Sequence, residues 1–271
     1  MPFVQAGDIR LYYEQAGEGP RLLFVNGTGG DLRNPLGPMS SPLVGHFTVL
    51  CHDQRGLGRS DKPDVPYTMA DYADDAARLL DAVAWDRCHV LGYSFGGMVA
   101  QELAIRHPDR IDRLVLCVTS PGGAGGSSYP LHELAGLSAE ERARRSIALG
   151  DLRRTEAWQV AHADQMAGFI DQAVAAERTY SHEPGWAVGR RRQLEARRGH
   201  DAWDRLTQIR APTLVCGGRY DGIARVEAQE AMASRIPNAE LRLFEGGHLF
   251  VVQDKAAYPQ IIAWLEGADA S

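Results

Sequence analysis

Lysine is almost missing from this chain. Lys62 and Lys255 are the only two, so arginine carries nearly all of the 29 basic residues set against 35 acidic ones. The net charge of −6 leaves no basic excess to neutralise phosphates, which argues against nucleic acid as a partner. Long hydrophobic runs are missing too. No stretch approaches the roughly 20 apolar residues of a membrane span, and residues 1–10 carry no apolar segment behind a basic start. The expectation is a cytoplasmic protein with no membrane partner. Cysteine is scarce: Cys51, Cys88, Cys117 and Cys216 form no CxxC pair and no metal-type spacing. They read as buried, reduced thiols. Nucleotide-binding signatures are absent as well, with no GxxxxGK[ST] and no GxGxxG opening a helix.

What is present is 271 residues of ordinary globular composition, enough for one large domain. Short apolar runs over residues 9–13, 22–26, 47–53, 88–93, 113–119, 213–217 and 240–244 alternate with helical patterns. Several runs are continuously apolar, as strands buried on both faces are. The alternation predicts an α/β fold with a mostly parallel central sheet flanked by helices. Thr68 with Asp71 marks a helix start before residues 69–84, and residues 95–106 form a second helical pattern stopped by Pro108. Residues 255–265 read as a closing helix. From 121 to 205 the strand signal vanishes. A Gly/Ser-rich linker gives way to helical patterns rich in arginine and glutamate, with Ser138 and Glu141 as another capping pair. The expected division is a core of residues 1–120 and 206–271 with a helical cap inserted at 121–205.

The central motif is Gly92-Tyr93-Ser94-Phe95-Gly96-Gly97. It follows a strand pattern and opens a helical one, so the chain must turn sharply with Ser94 at the tip. Glycines two residues before and after remove the Cβ atoms that would block such a turn. A serine hydroxyl there needs a base. His248, in Glu245-Gly246-Gly247-His248, follows the last strand pattern, where an open α/β sheet places its ligand site. His52 is the rival base and reads as structural. A carboxylate must hold the histidine in one tautomer. Asp221, just beyond residues 213–217, is the candidate, because the alternative position after residue 119 holds Ser120 and Pro121.

These segments resemble the α/β-hydrolase superfamily over most of residues 8–120 and 206–266. Within it the chain is similar to small capped esterases and lactonases such as 3-oxoadipate enol-lactonase. Two further stretches carry the likeness: Asn26-Gly27-Thr28-Gly29-Gly30 and Asp53-Gln54-Arg55-Gly56-Leu57-Gly58-Arg59-Ser60. The order Ser, Asp, His along the chain is the superfamily's. The resemblance implies a catalytic triad of Ser94, Asp221 and His248. It also implies an oxyanion hole built from the backbone N–H groups of Phe95 and Thr28, where losing one donor typically costs ~10²–10³ in turnover. The family usually has histidine at the Asn26 position, so this chain must anchor the loop differently. Asp53 and its arginine neighbours read as braces between loops.

The expected reaction is cleavage of a small carboxylic ester or lactone through an acyl-enzyme on Ser94, with no metal and no cofactor. Gly27, Gly29, Tyr93, Leu249, Trp158 and Trp186 are the expected substrate contacts. Met166, Phe169 and Tyr180 sit at a helical spacing that suits packing as well as a pocket. The run Arg190-Arg191-Arg192 reads as a solvated helix face, with attraction of an acidic substrate as its alternative. The same triad also serves C–C bond hydrolysis, cyanohydrin lysis and cofactor-free perhydrolysis. Ser94 argues against epoxide hydrolase and dehalogenase chemistry, which need Asp at the elbow. Amide hydrolysis ranks below ester hydrolysis, and a small-molecule receptor on a hydrolase framework is the non-enzymatic reading. The expected partner is a small ester or lactone, and homo-oligomerisation is left open.

Overall fold

Strand β3 (Arg21–Val25) shows how the sheet becomes central. Leu22 and Phe24 join one apolar layer while Leu23 and Val25 join the other, so both faces are covered. The computed structural model describes residues 2–35 and 37–268. The other strands are β1 (Phe3–Ala6), β2 (Ile9–Ala16), β4 (Thr48–His52), β5 (Cys88–Tyr93), β6 (Ile111–Cys117), β7 (Thr213–Gly218) and β8 (Ala239–Phe244). They form one eight-stranded sheet in the order β1-β2-β4-β3-β5-β6-β7-β8. β1 and β2 pair antiparallel, β2 meets β4 antiparallel, and every later pairing is parallel. This is the mostly parallel central sheet of an α/β fold that the alternation of strand and helix predicts. All four cysteines are free and buried, on β4, β5, β6 and β7.

Helices α1 (Met69–Ala82) and α2 (Phe95–Arg106) cover one face, sharing a core with Leu23, Val90 and Leu114. α1 starts at the capping box expected of Thr68 and Asp71. Between β6 and β7 stand α3 (Ala139–Gly150), α4 (Glu156–Ala161), α5 (Ala163–Tyr180) and α6 (Trp186–Arg198). The Ser138–Glu141 capping box opens α3. Met166, Ile170 and Val174 recur every fourth residue along α5 and bury with Ala143 in a small cluster of their own. Residues Trp203–Gln208 form a 3-10 turn that packs back on α2 and on α7 (Val226–Arg235).

Helices α8 (Phe250–Gln253) and α9 (Ala257–Leu265) close the second face. The pattern expected over residues 255–265 therefore begins later than read. Asp254 accepts the Ala256 N–H at 2.9 Å, an Asx-type turn that interrupts the helix before α9. β1 carried no signal, because its four residues alternate between exposed and half-buried until Ala6. Its place is fixed by the hairpin to β2, with Gly7 at φ 67° in the turn. No helix among the described residues is long and apolar enough to cross a membrane.

Candidate active site

The chain leaves β3 for β4 on one side and returns to β5 on the other. This is the reversal at which open α/β sheets gather ligands beyond the strand ends. Four loops meet there, following β3, β5, β7 and β8. Ser94 stands at the tip after β5 with φ 56° and ψ −116°, a left-handed backbone that L-residues rarely adopt. Its N–H is held by the Cys117 carbonyl at 2.8 Å. The flanking glycines are needed for close approach. A Cβ on Gly96 would lie 1.9 Å from the Val25 carbonyl, and one on Gly92 would lie 2.4 Å from the Gly96 carbonyl.

His248 Nε2 lies 2.9 Å from Ser94 Oγ, and His248 Nδ1 lies 2.8 Å from Asp221 Oδ2. Facing a carboxylate, Nδ1 carries the proton, which leaves Nε2 to accept from the serine. Asp221 is only 2% exposed, and its other oxygen accepts the amides of Ile223 at 2.7 Å and Ala224 at 3.1 Å. Those amides fix the carboxylate before it meets the imidazole. Behind the histidine, the Tyr93 hydroxyl donates to the His248 carbonyl, and the Tyr93 ring meets the imidazole edge-on with centroids 6.1 Å apart.

The end of α3 braces the same residues. The His248 N–H donates to the Gly150 carbonyl at 2.6 Å, and the Gly222 N–H donates to the Leu149 carbonyl at 2.9 Å. The Leu152 N–H returns to the Tyr220 carbonyl at 2.8 Å. Buried Asp151 accepts Gln253 Nε2 at 3.0 Å and turns its remaining valence to Arg153.

Gly27 lies against the elbow, since a Cβ there would sit 3.5 Å from that of Ser94. The N–H groups of Thr28 and Phe95 donate to no acceptor among the described residues. Gly29 N–H, by contrast, is taken by Gln193 Oε1 at 2.8 Å, and Gln54 Nε2 donates to the Asn26 carbonyl at 2.9 Å. These two glutamines anchor the loop that has asparagine in place of histidine. Asp53 is the brace expected of it. It accepts the amides of Leu32 at 2.7 Å and Arg59 at 2.8 Å, and burial pushes its carboxyl up to about 6. His52, the rival base, is buried on β4 without a bond to Ser94, and burial lowers it to about 4.

A cavity of about 560 Å³ opens beside the Thr28–Gly29 loop and reaches under α6. Trp186 lines it, as expected, and so does Gly29. Three other expected contacts lie elsewhere. Trp158 packs on the α3–α5 cluster and stacks on His162 with centroids 4.4 Å apart, because the tight turn between α4 and α5 folds it inward. Leu249 is 54% exposed at the start of α8, and Tyr93 is engaged beneath the histidine. Met166 is core, while Phe169 and Tyr180 lie under the guanidinium groups of Arg154 and Arg33. The arginine run divides. Arg191 and Arg192 pair with Asp64, Arg190 comes no closer than 3.9 Å to a carboxylate, that of Glu177, and both Arg190 and Arg191 line the cavity. Gln193 had no motif to announce it, and Arg190 was named only within the run Arg190-Arg191-Arg192. Their signal is positional, for Trp186, Arg190 and Gln193 share one face of α6 at steps of four and three. Among the described residues, no three His, Cys, Asp or Glu side chains gather as metal ligands do.

Known proteins share this arrangement of the chain. A provisionally named carbamate hydrolase, RutD, of Variovorax paradoxus (strain S110) is 32% identical over 254 residues, 92% of each protein. A poly(3-hydroxyalkanoate) depolymerase of Ectopseudomonas oleovorans is 30% identical over 247 residues, covering 90% of this chain and 84% of the relative. The crystal structure of an enol-lactonase from Burkholderia xenovorans LB400 superposes with a TM-score of 0.78 at 23% identity, over 98% of this chain and 100% of the other. A family model described as the alpha/beta hydrolase fold matches residues 20–255, and by that match the chain belongs to the α/β-hydrolase family.

Proposed function

We propose that the protein is a serine hydrolase that cleaves a small carboxylic ester or lactone through an acyl-enzyme on Ser94. The observation that carries this reading is the unbroken relay from Ser94 Oγ through His248 to Asp221, at 2.9 and 2.8 Å. His248 Nε2 takes the hydroxyl proton as Oγ attacks the carbonyl carbon. The Phe95 amide, at the N-terminus of α2, and the Thr28 amide hold the oxyanion, and neither donates to an acceptor among the described residues. His248 then returns the proton to the departing alkoxide. Water enters, loses a proton to the same nitrogen and releases the acid. Asp221, bonded to Nδ1, steadies the imidazolium that forms. The helices α3–α6 form a cap that roofs the site.

The depolymerase relative supports hydrolase chemistry of this kind, and the carbamate hydrolase relative keeps attack on an acyl carbon in view. A fluorophosphonate probe together with p-nitrophenyl esters of graded chain length tests the proposal. Ser94 should label rapidly in the native protein. Labelling should disappear in Ser94→Ala and fall steeply in His248→Ala. Asp221→Asn should lower kcat by about 10³–10⁴-fold, because the imidazole would then favour the wrong tautomer. A folded protein that neither labels nor turns over any ester would point to a small-molecule receptor instead.

A further inference from the structure

The turn that carries His248 has little of its own to hold its shape. Gly246, at φ 152°, and Gly247 precede the histidine and offer no side chain for packing. Its main-chain groups are taken by three neighbours instead. The Gly246 carbonyl accepts the Tyr220 N–H at 2.9 Å, the His248 N–H donates to the Gly150 carbonyl, and the Gly247 N–H donates to Gln253 Oε1 at 2.7 Å. Only the last partner is a side chain, and an amide side chain can present either its oxygen or its nitrogen.

Asp151 decides which. It ends α3, is only 3% exposed, and accepts Gln253 Nε2 on its Oδ2 at 3.0 Å. Burial alone would push its carboxyl up, but Arg153 holds it below the ordinary range, so it stays ionised and only accepts. The amide nitrogen of Gln253 is therefore drawn to Asp151, and the oxygen faces Gly247. Arg153 grips both carboxylate oxygens, at 2.9 and 2.7 Å, and its guanidinium carbon lies 4.5 Å over the Tyr220 ring. Tyr220 is the residue before Asp221. The contacts close a ring that runs from Arg153 through Asp151 and Gln253 to the turn of the base, and back through Tyr220 beside the acid.

We infer that Gln253 and Asp151 are positioning residues for His248, the carboxylate fixing the amide and the amide fixing the turn that aims Nε2 at Ser94 Oγ. Both act through the histidine and touch no reacting atom. The inference deepens the hydrolase reading and rests on it for the role of base. Asp151 belongs to the segment between β6 and β7, so that segment supports the base directly.

Exchanging donor and acceptor tests it. Gln253→Ala should lower kcat by about 10–10²-fold with KM changed by less than about twofold, because the imidazole loses its aim while the pocket is unaltered. Gln253→Glu should do the same, since two carboxylates would then face each other across the 3.0 Å now spanned by a hydrogen bond. Adding Asp151→Asn to Gln253→Glu sets a donor opposite an acceptor again, and kcat should return to within about threefold of native. The low-field proton resonance of His248 Nδ1–H gives a readout free of turnover. It should be sharp in the native protein, weakened in Gln253→Glu and recovered in the double variant. Thermal midpoints check folding, and if Gln253→Ala does not fold the exchange pair decides. Native kcat in Gln253→Ala, a loss carried by KM, or a double variant no better than Gln253→Glu overturns the inference. If the native protein cleaves no ester, the hydrolase reading falls and the proton resonance alone decides the positioning role: unchanged in Gln253→Glu, it overturns that role as well.

Discussion

Ser94 holds a left-handed backbone that costs of order 1–3 kcal/mol, and the surrounding glycines are what make it affordable. Gly96 is the tightest of them. Gly96→Ala would drive a methyl group to 1.9 Å from the Val25 carbonyl, at the end of the strand that leads into the Thr28–Gly29 loop. That change should destabilise the protein by about 1–3 kcal/mol or more in urea titration and remove activity along with it. Tyr93 tests a subtler contact. Its hydroxyl holds the His248 carbonyl, so Tyr93→Phe removes a positioning bond and leaves the relay itself intact. The expected result is a fall in kcat of up to about 10²-fold with KM nearly unchanged and an unaltered unfolding midpoint.

At the scale of elements, the buried pair between Arg55 and Asp75 ties the loop after β4 to α1, with N–O distances of 2.7 and 2.9 Å. Asp75 is 1% exposed, and burial raises its carboxyl even with the arginine beside it. Asp75→Ala would strand the guanidinium, at a cost of roughly 3–5 kcal/mol measurable by denaturant unfolding. Elements also show what could be read in advance. α1 and α2 were legible because their ends carry local signals: the Thr68–Asp71 capping box in one and the Gly-Ser-Gly elbow and Pro108 in the other. Ser94, Asp221 and His248 were legible because each follows an apolar strand in a glycine-bearing turn. Gln193 and the Gly150 carbonyl were not, and Arg190 was read only as one of three successive arginines. Which face of α6 turns inward depends on how the helix docks, and a carbonyl has no letter of its own. Trp158 was misplaced for the same reason: helical spacing says that a ring is buried, not against what.

Two buried histidines contribute to the acid sensitivity of the whole molecule. Burial lowers both His52 and His200 to about 4, well below the ordinary 6.5. The folded state therefore binds fewer protons than the unfolded chain between about pH 4 and 6.5, and stability falls as pH drops through that window. Asp53 acts in the opposite sense. Raised to about 6, it takes up a proton more readily when folded and favours the native state as pH falls from about 6 to 3.8. His89, also lowered by burial, and the paired carboxylates Asp31, Asp74 and Asp151, held below their ordinary range, add to the loss as pH falls. Urea midpoints measured from pH 7 to pH 4 should therefore decline, and a His52→Gln/His200→Gln double variant should make that decline shallower.

The end of α3 holds the loops of Asp221 and His248 through main-chain groups: Leu149 and Gly150 carbonyls on one side, Gly222 and His248 amides on the other. Glycines keep this seam closed, since a Cβ on Gly247 would lie 2.0 Å from the Gly150 carbonyl and one on Gly222 2.8 Å from the Leu149 carbonyl. On α6, Gln193 holds the Gly29 N–H and a Cβ on Gly189 would lie 1.7 Å from the Gly56 carbonyl. Only the other positions of that helix's inner face are open to change while the seam at the foot of α3 keeps the imidazole in register.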